Sequence, residues 1–599
     1  MKTMLERREF LSALPCALTL LAVASQTAGQ KTGSPANDKI CWLDVCAPFI
    51  IDDIDLGIRS EIILTSDTFV GRKGYEDGAD ESEYEIYLFD ADGNAIGADG
   101  VAKRLVVPAM HTTVLPVRDL IGGRRNFFGG LKVRLRPRTR TPMHASDLFS
   151  SAFVRWTSEH SFDNVHANPD PIQVQRPDPF FYSMPFPPLR EYECLFSLFN
   201  PYKDRSSGNV SLYDPLGKRL KSLSYDMKPG SSLLLDLRRG EFIRGLRAAG
   251  TDDSDARFAM KFLTDDGGTI AITNKAGSVK NFGFMMINRP GRKRFSIEHP
   301  IHQSPYDPSP AVVPIDPAGK FKAKNILYTP LVFNSKRIGG ITLDSRFHLS
   351  SGAPMEQFLW LSPFIVDKDG NVPWQMAKGT SLAGMIPASQ IESGALKLGG
   401  QQSCVIDSSK LGLAENFSGG LSLAIAPASN HTLMKVELLV AEWGAHAFTH
   451  FRPGLASARA YQKPAERGGL ATDYITCGSR IEKQGGKVTR DEIVCLINID
   501  DKGTTGEPEL EIFTSAGLLT RVRPGIVPAF GCCHYLLSEL VGRDISGKEL
   551  SMRLVDESAT LLMSVIHIDY VRRDVAMDHG SDRFSTFQEF NCKPESGKY

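Results

Sequence analysis

One order of features recurs four times along this chain, and such a repeat limits the fold to an array of like building blocks. The first feature is a strand pair turned on Asp and Gly: residues 84–95 (YEIYLFDADGNA), 209–218 (NVSLYDPLGK) and 359–372 (LWLSPFIVDKDGNV). A fourth copy, residues 510–518 (LEIFTSAGL), keeps the Gly without the Asp. Apolar and polar positions alternate before each turn, the period of a strand with one buried face. The second feature is a Pro-containing edge before a Leu-rich strand. Residues 107–120 (VPAMHTTVLPVRDL) align without a gap on 527–540 (VPAFGCCHYLLSEL), and 228–237 (KPGSSLLLDL) is a shorter relative. The third is an alternating strand at 131–135, 258–262, 421–425 and 550–554. Each is followed by another apolar strand, then by an acidic or polar residue and His: Glu159-His160, Glu298-His299, Thr449-His450 and Asp578-His579.

Short strands between Gly, Pro, Asn and Asp turns predict an all-β chain of tandem immunoglobulin-like β-sandwich repeats, about four modules with Pro-rich linkers. The spacing places the sandwiches at 59–160, 191–299, 325–451 and 470–580, with an N-terminal segment at 25–58 and a tail at 581–599. Linkers fall at 161–190 and 300–324; residues 167–190 hold seven prolines and 300–317 hold six, which stiffens a connection. The total of 599 residues suits about four domains of ordinary size. LPVRDL (115–120) and LSEL (537–540) read as single helical turns between strands.

Residues 1–24 place a short basic stretch before an apolar run from Leu11 to Ala24. That run falls short of a membrane span of about 20 residues, and its order is that of a secretory signal. Ala22-Val23-Ala24 puts cleavage near Ser25. Arg7-Arg8 followed by Phe10-Leu11 resembles a twin-arginine translocation signal; an ordinary secretory signal is the plainer alternative. The resemblance implies a chain that folds before crossing the membrane, so the expected location is periplasmic or extracellular. No later segment is apolar enough for an integral membrane span.

Lys+Arg and Asp+Glu are both 69, and a chain this neutral does not suit nucleic-acid binding through a broad basic field. Ten cysteines less Cys16 leave nine, an odd number, in a compartment where disulfides persist. Cys41 and Cys46 are spaced to close a small loop as a disulfide, and Cys477 and Cys495 to bridge neighbouring strands. Cys194 and Cys495 read as core thiols. Cys532-Cys533-His534 offers soft-metal ligands, although neighbouring strand residues point to opposite faces.

The acid–His endings are the sharpest chemical feature. Asp163 and Asp582 lie three residues beyond His160 and His579, and His166 flanks the same turn as His160. Glu159, His160, Asp163, His166, Asp578, His579 and Asp582 are therefore candidate ligands for a divalent metal, one site per module. The competing reading is a His that hydrogen-bonds across each junction and fixes module orientation. Duplication carries structural parts into every copy, whereas a catalytic site usually appears once, so architecture is favoured. His446 and His450 would stand about 13 Å apart on one strand, too far to share an ion. Asp90-Ala91-Asp92-Gly93-Asn94 opens like a calcium loop but carries Ala95 and Val101 where that loop needs Gly and Glu, so it reads as a turn. Gly379-Thr380-Ser381-Leu382-Ala383 is a poor match to a nucleophile elbow. Phe180, Phe181, Tyr182 and Phe186 form either an adhesive strip or junction packing.

These features predict an exported, non-enzymatic repeat protein that binds a polysaccharide or protein partner at the cell envelope. No cofactor is required by that reading. The alternative is a twin-arginine-exported metal-dependent enzyme built on an acid–His site.

Overall fold

Runs of alternating residues punctuated by Gly and Pro become antiparallel strands throughout the computed structural model of this chain. The structure describes residues 43–66, 81–137, 152–170, 181–246, 267–289, 294–300, 326–351, 357–360, 365–366, 369, 391–392, 395–426, 432–451, 470–500, 503–542, 545–579 and 581–582. The leader with Arg7, Arg8, Phe10 and Leu11, the first cysteine of the expected Cys41–Cys46 loop, the 258–262 strand and the 379–383 segment lie outside them.

The strands fall into four groups. The first holds β1 (Leu43–Asp53), β2 (Arg59–Ser66), β3 (Ser82–Asp90), β4 (Lys103–Val107), β5 (His111–Pro116), β6 (Asn126–Pro137), β7 (Ala152–Thr157), β8 (Phe162–His166) and β9 (Asn168–Asp170). The second holds β10 (Phe181–Phe186), β11 (Glu193–Phe199), β12 (Ser206–Tyr213), β13 (Arg219–Met227), β14 (Ser232–Asp236), β15 (Glu241–Ile243), β16 (Gly268–Asn274), β17 (Phe282–Arg289) and β18 (Arg294–Glu298). The third holds β19 (Ile326–Asn334), β20 (Lys336–Ile338), β21 (Ile341–Ser351), β22 (Gln357–Trp360), β23 (Ile365–Val366), β24 (Ile391–Glu392), β25 (Ala395–Leu398), β26 (Ser403–Asp407), β27 (Phe417–Ala426), β28 (Thr432–Val440) and β29 (Ala445–Phe451). The fourth holds β30 (Thr472–Arg480), β31 (Glu482–Gln484), β32 (Lys487–Asn498), β33 (Glu509–Thr514), β34 (Gly517–Val522), β35 (Cys532–Leu536), β36 (Glu549–Asp556), β37 (Leu561–Asp569), β38 (Asp574–Asp578) and β39 (Ser581–Asp582).

Each group makes two sheets in one strand order. In the first group these are β4-β3-β6-β1 and β5-β2-β7-β8; in the second, β13-β12-β16-β10 and β14-β11-β17-β18. The third gives β25-β22-β27-β19 and β26-β21-β28-β29, and the fourth β34-β33-β36-β30 and β35-β32-β37-β38. This is not the immunoglobulin order, in which the first two strands are neighbours in one sheet. Here the first and second strands of each group lie in different sheets, so the chain crosses between layers at once. β1 precedes the expected 59–160 sandwich, and β8, β9 and β10 occupy the expected 161–190 linker. Pro169 and Pro185 sit on the edge strands β9 and β10, where a missing N–H is tolerated.

The Asp-Gly turns have one mechanism. Asp90 Oδ1 accepts from the amides of Asp92 and Asn94 at 3.1 and 2.9 Å, and Asp214 Oδ1 from those of Leu216 and Lys218 at 3.0 and 2.9 Å. In the fourth group the Thr514 hydroxyl takes this part, accepting from Ala516 N at 3.1 Å. Asp90 is thus committed to its turn rather than to calcium. A left-handed residue recurs just before β5, β14, β26 and β35: Met110 (φ 56°), Gly230 (70°), Gln401 (65°) and Phe530 (59°). It turns the chain from one sheet to the other. A 3-10 turn at Val117–Asp119 and a helix at Leu537–Val541 stand where the sequence places single helical turns. Among the described residues no helix is long and apolar enough to cross a membrane.

In the second and fourth groups the second sheet is apolar on both faces. In β11, Cys194, Phe196 and Leu198 join the core of their own group, while Leu195 joins that of the first. In β32, Val494 and Leu496 face the fourth group's core, and Ile493 and Cys495 face the third's. The seams run in a circle. β1 lies on β11 and β17, β10 on β21 and β28, β19 on β32 and β37, and β30 on β2 and β7. The fourth group therefore closes on the first, and residues Ile40–Lys593 make one compact unit rather than modules spaced along linkers.

Candidate functional site: a four-histidine centre

The ring of groups brings the last strand of each second sheet, β8, β18, β29 and β38, together at its middle. β8 contacts β18, β18 contacts β29, β29 contacts β38, and β38 contacts β8. Side chains stitch three of these contacts. Asp574 Oδ2 accepts from Ser161 Oγ (2.7 Å) and Phe162 N (3.1 Å). Asp163 Oδ2 accepts from Ser296 Oγ at 2.9 Å and from the Ile297 amide, and Ser296 Oγ accepts from Phe448 N at 3.0 Å. Burial pushes the carboxyls of Asp163 and Asp574 up to about 7.

β8 ends in a histidine, β18 and β38 are each followed by one, β29 carries one next to its end, and the four rings meet. Neighbouring centroids are 4.6 Å apart for His166–His299, 4.3 Å for His299–His450, 4.5 Å for His450–His579 and 4.7 Å for His579–His166. The His299–His579 diagonal is 6.0 Å. His166, His299 and His450 are buried and His579 is partly exposed. His166, His299 and His579 each offer a ligand atom within 4.8 Å of the others.

The acids reach across the seams to the rings of other groups, although Glu298 Oε2 also accepts from the amide of His299 at 3.2 Å. Glu298 Oε2, from the second group, meets Nδ1 of His450, from the third, at 2.9 Å. Asp578 Oδ1, from the fourth, lies 3.9 Å from Nδ1 of His166, from the first, and its Oδ2 accepts from the Thr476 hydroxyl at 2.7 Å. His299 Nδ1 meets the Pro300 carbonyl at 3.1 Å. Burial, reinforced by the neighbouring His299, His579 and His166 rings, holds His450 well below the usual imidazole range. Burial likewise pushes Glu298 well above the carboxylate range, against the opposing Lys435 charge. Burial works against ionised Asp578 too, but its His166 and His579 neighbours hold it below its ordinary value.

The expected sites are therefore redistributed. Separate acid–His sites, one per module, give way to a single shared centre. Glu159-His160 is not the first group's member. These residues sit in the turn before β8, 3.6 Å apart and with side chains 85% and 42% exposed, and His166 takes the place in the ring. The misassignment arises because β8 comes after that turn, so its last residue lies six positions further on. Asp582 is on the edge strand β39, paired with Tyr474, rather than on β38. His446 does not enter the centre; its ring packs on Tyr192 at 5.4 Å, and burial lowers it to about 4.

Other expectations also change. Cys477 and Cys495 belong to β30 and β32, in different sheets and different apolar clusters, so they do not bridge neighbouring strands. Cys46 is buried in β1. Burial drives the thiols of Cys194, Cys495 and Cys532 far above their ordinary value, as for core hydrophobes. In the Cys532-Cys533-His534 run, His534 Nε2 meets the Pro330 carbonyl at 2.8 Å, tying the fourth group to the third. Tyr182 and Phe186 are buried in the second group's core, which is packing rather than an adhesive strip. Phe180 and the side chain of Phe181 lie outside the described residues.

A second polar cluster went unpredicted. Glu437 accepts from Tyr192 Oη, faces His348 Nε2 at 2.9 Å and lies 3.4 Å from Arg346. Burial opposes its charge, yet the His348 hydrogen bond and the Arg346 charge hold it down to about 2. Lys435, fully buried two residues away, is lowered by burial to about 8. The available signal was the run TLMKVELLV, in which two charges interrupt a strand otherwise apolar on both faces. No known family matches this chain, and no curated protein is detectably similar to it.

Proposed function

We propose that this chain is an exported, non-enzymatic scaffold of four β-sandwich modules that presents a rigid surface to a polysaccharide or protein partner at the cell envelope. The observation that carries this reading is the inward direction of its reactive side chains. Asp163, His166, Glu298, His299, His348, Glu437 and His450 are all buried at seams between strand groups. A hydrolytic or redox catalyst needs its acid, base or open metal position within reach of a substrate. Groups that orient one another across apolar seams fix architecture instead. The rival, a metal-dependent exported enzyme, draws on the clustering of histidines but must find substrate access beside the partly exposed His579.

The test follows the chain and its surface together. The full chain and its Arg7→Lys/Arg8→Lys variant are expressed, fractionated and followed by mass. Purified mature protein is then sedimented with isolated envelope polysaccharide. The scaffold reading expects mature wild type in the periplasm, an uncleaved variant in the cytoplasm, and co-sedimentation unchanged by His299→Ala. An ester, glycoside or peptide hydrolase activity abolished by His299→Ala in a still-folded protein would replace this reading with the enzymatic one.

A further inference from the structure

We propose that the four-histidine centre binds one divalent transition-metal ion of borderline softness, zinc being the natural occupant, and that each strand group supplies one ligand. The observations are geometric. His166, His299, His450 and His579 come from four different groups and converge nowhere in the sequence, yet their rings form a closed square with sides of 4.3–4.7 Å. Half of the 6.0 Å diagonal is 3.0 Å, close to a metal–nitrogen bond of about 2.0–2.1 Å plus roughly 1 Å from ring nitrogen to ring centre. The ligand atoms of His166, His299 and His579 lie within 4.8 Å of one another, and closing to the roughly 3.3 Å between ligands of a tetrahedral ion takes shifts of up to about 1.5 Å.

The surroundings match those of bound imidazoles. A metal-bound histidine turns its other nitrogen to a carboxylate or a carbonyl, which fixes the tautomer and aims the donor. Glu298 does this for His450, Asp578 faces Nδ1 of His166 at 3.9 Å, and the Pro300 carbonyl does it for His299. Each carboxylate comes from a different group than the ring it orients, so ligand geometry depends on the ring of groups being closed. All-nitrogen ligation suits zinc, copper or nickel and is poor for calcium or magnesium, which take oxygen. Burial of three of the four rings indicates a structural ion joining the groups.

The test uses purified, folded mature protein. It is dialysed against zinc chloride, freed of loose metal by gel filtration and analysed for metal and protein, and the bound zinc is examined by X-ray absorption. One ion per chain is expected, with a first shell of nitrogen at about 2.0 Å and outer-shell scattering from at least three imidazoles. His299→Ala and His579→Ala should each weaken zinc binding at least about tenfold, Glu298→Gln roughly 10–100-fold, and His160→Ala not at all. Less than about a tenth of an ion per folded chain would make the square an edge-to-face aromatic plug only and overturn the proposal. So would sulfur in the shell, or unchanged zinc in both histidine variants. If those variants do not fold, the wild-type stoichiometry and absorption spectrum decide alone.

Discussion

Asp163 shows how a single residue carries the cost of the central ring. It is fully buried, its acceptors hold the Ser296 hydroxyl and the Ile297 amide, and burial raises its carboxyl to about 7. A folded-state value above the unfolded one means that the folded chain holds an extra proton between about pH 4 and pH 7. Stability from this group is thus present in acid and lost as the pH rises through that window. Asparagine keeps the acceptor and drops the charge. The stability of Asp163→Asn relative to wild type should therefore improve on going from pH 5 to pH 8, on the order of 1–3 kcal/mol. Denaturant midpoints of both proteins at the two pH values measure it, and a constant difference would contradict it. Glu437 shows the opposite sign: held down to about 2, its contribution is present above the normal carboxylate range and is lost only as the pH falls through that value.

At the scale of elements, the fourth group meets the first through the bulge of β30. The register of β30 on β36 shifts between Cys477 and Ser479, and Gly478 there has φ +83°. A Cβ at this position would stand 2.7–2.8 Å from the side chain of Asn164, whose Nδ2 donates to the Cys477 carbonyl at 2.6 Å. Gly478→Ala is expected to cost about 1–3 kcal/mol through backbone strain, with faster hydrogen exchange in β8 and β30. Unchanged exchange in those two strands would show that the bulge does not hold the seam. The same seam carries Arg155, buried between Glu61 (2.6 Å) and Glu549 (2.6 Å). Glu549 also pairs with Arg480 at 2.7 Å, so Arg155→Ala removes one of its two partners and the Glu61 pair, and should destabilise by about 1–3 kcal/mol, read from chemical denaturation.

For the molecule as a whole, two of the four seams, first to second and third to fourth, are as apolar as the cores. The core of the third group includes Ile493, Cys495, Ile566 and Ile568 from the fourth, and that of the first includes Phe284, Met286 and Ile297 from the second. Losing one group exposes a face on each of its neighbours, so groups should not unfold one at a time. Calorimetry of the purified protein should give a single transition whose calorimetric and van't Hoff enthalpies agree. Four resolved transitions would mean that the seams are weak.

Strands, turns and their repetition were legible in the sequence because they depend on local chemistry. Alternation sets a buried face, and Asp and Thr side chains hold the turns at Asp90, Asp214 and Thr514. The His endings after Glu298, Thr449 and Asp578 were visible for the same reason, and only the first copy was misplaced, by the length of one turn. Which face each sheet turns to its neighbour was not visible, since a strand apolar on both sides reads the same whatever covers it. That choice fell to the closing contacts of β30 on β2 and β7, which join residues more than 300 positions apart. Only that closure places His166, His299, His450 and His579 around one point and turns each acid toward the ring of the next group.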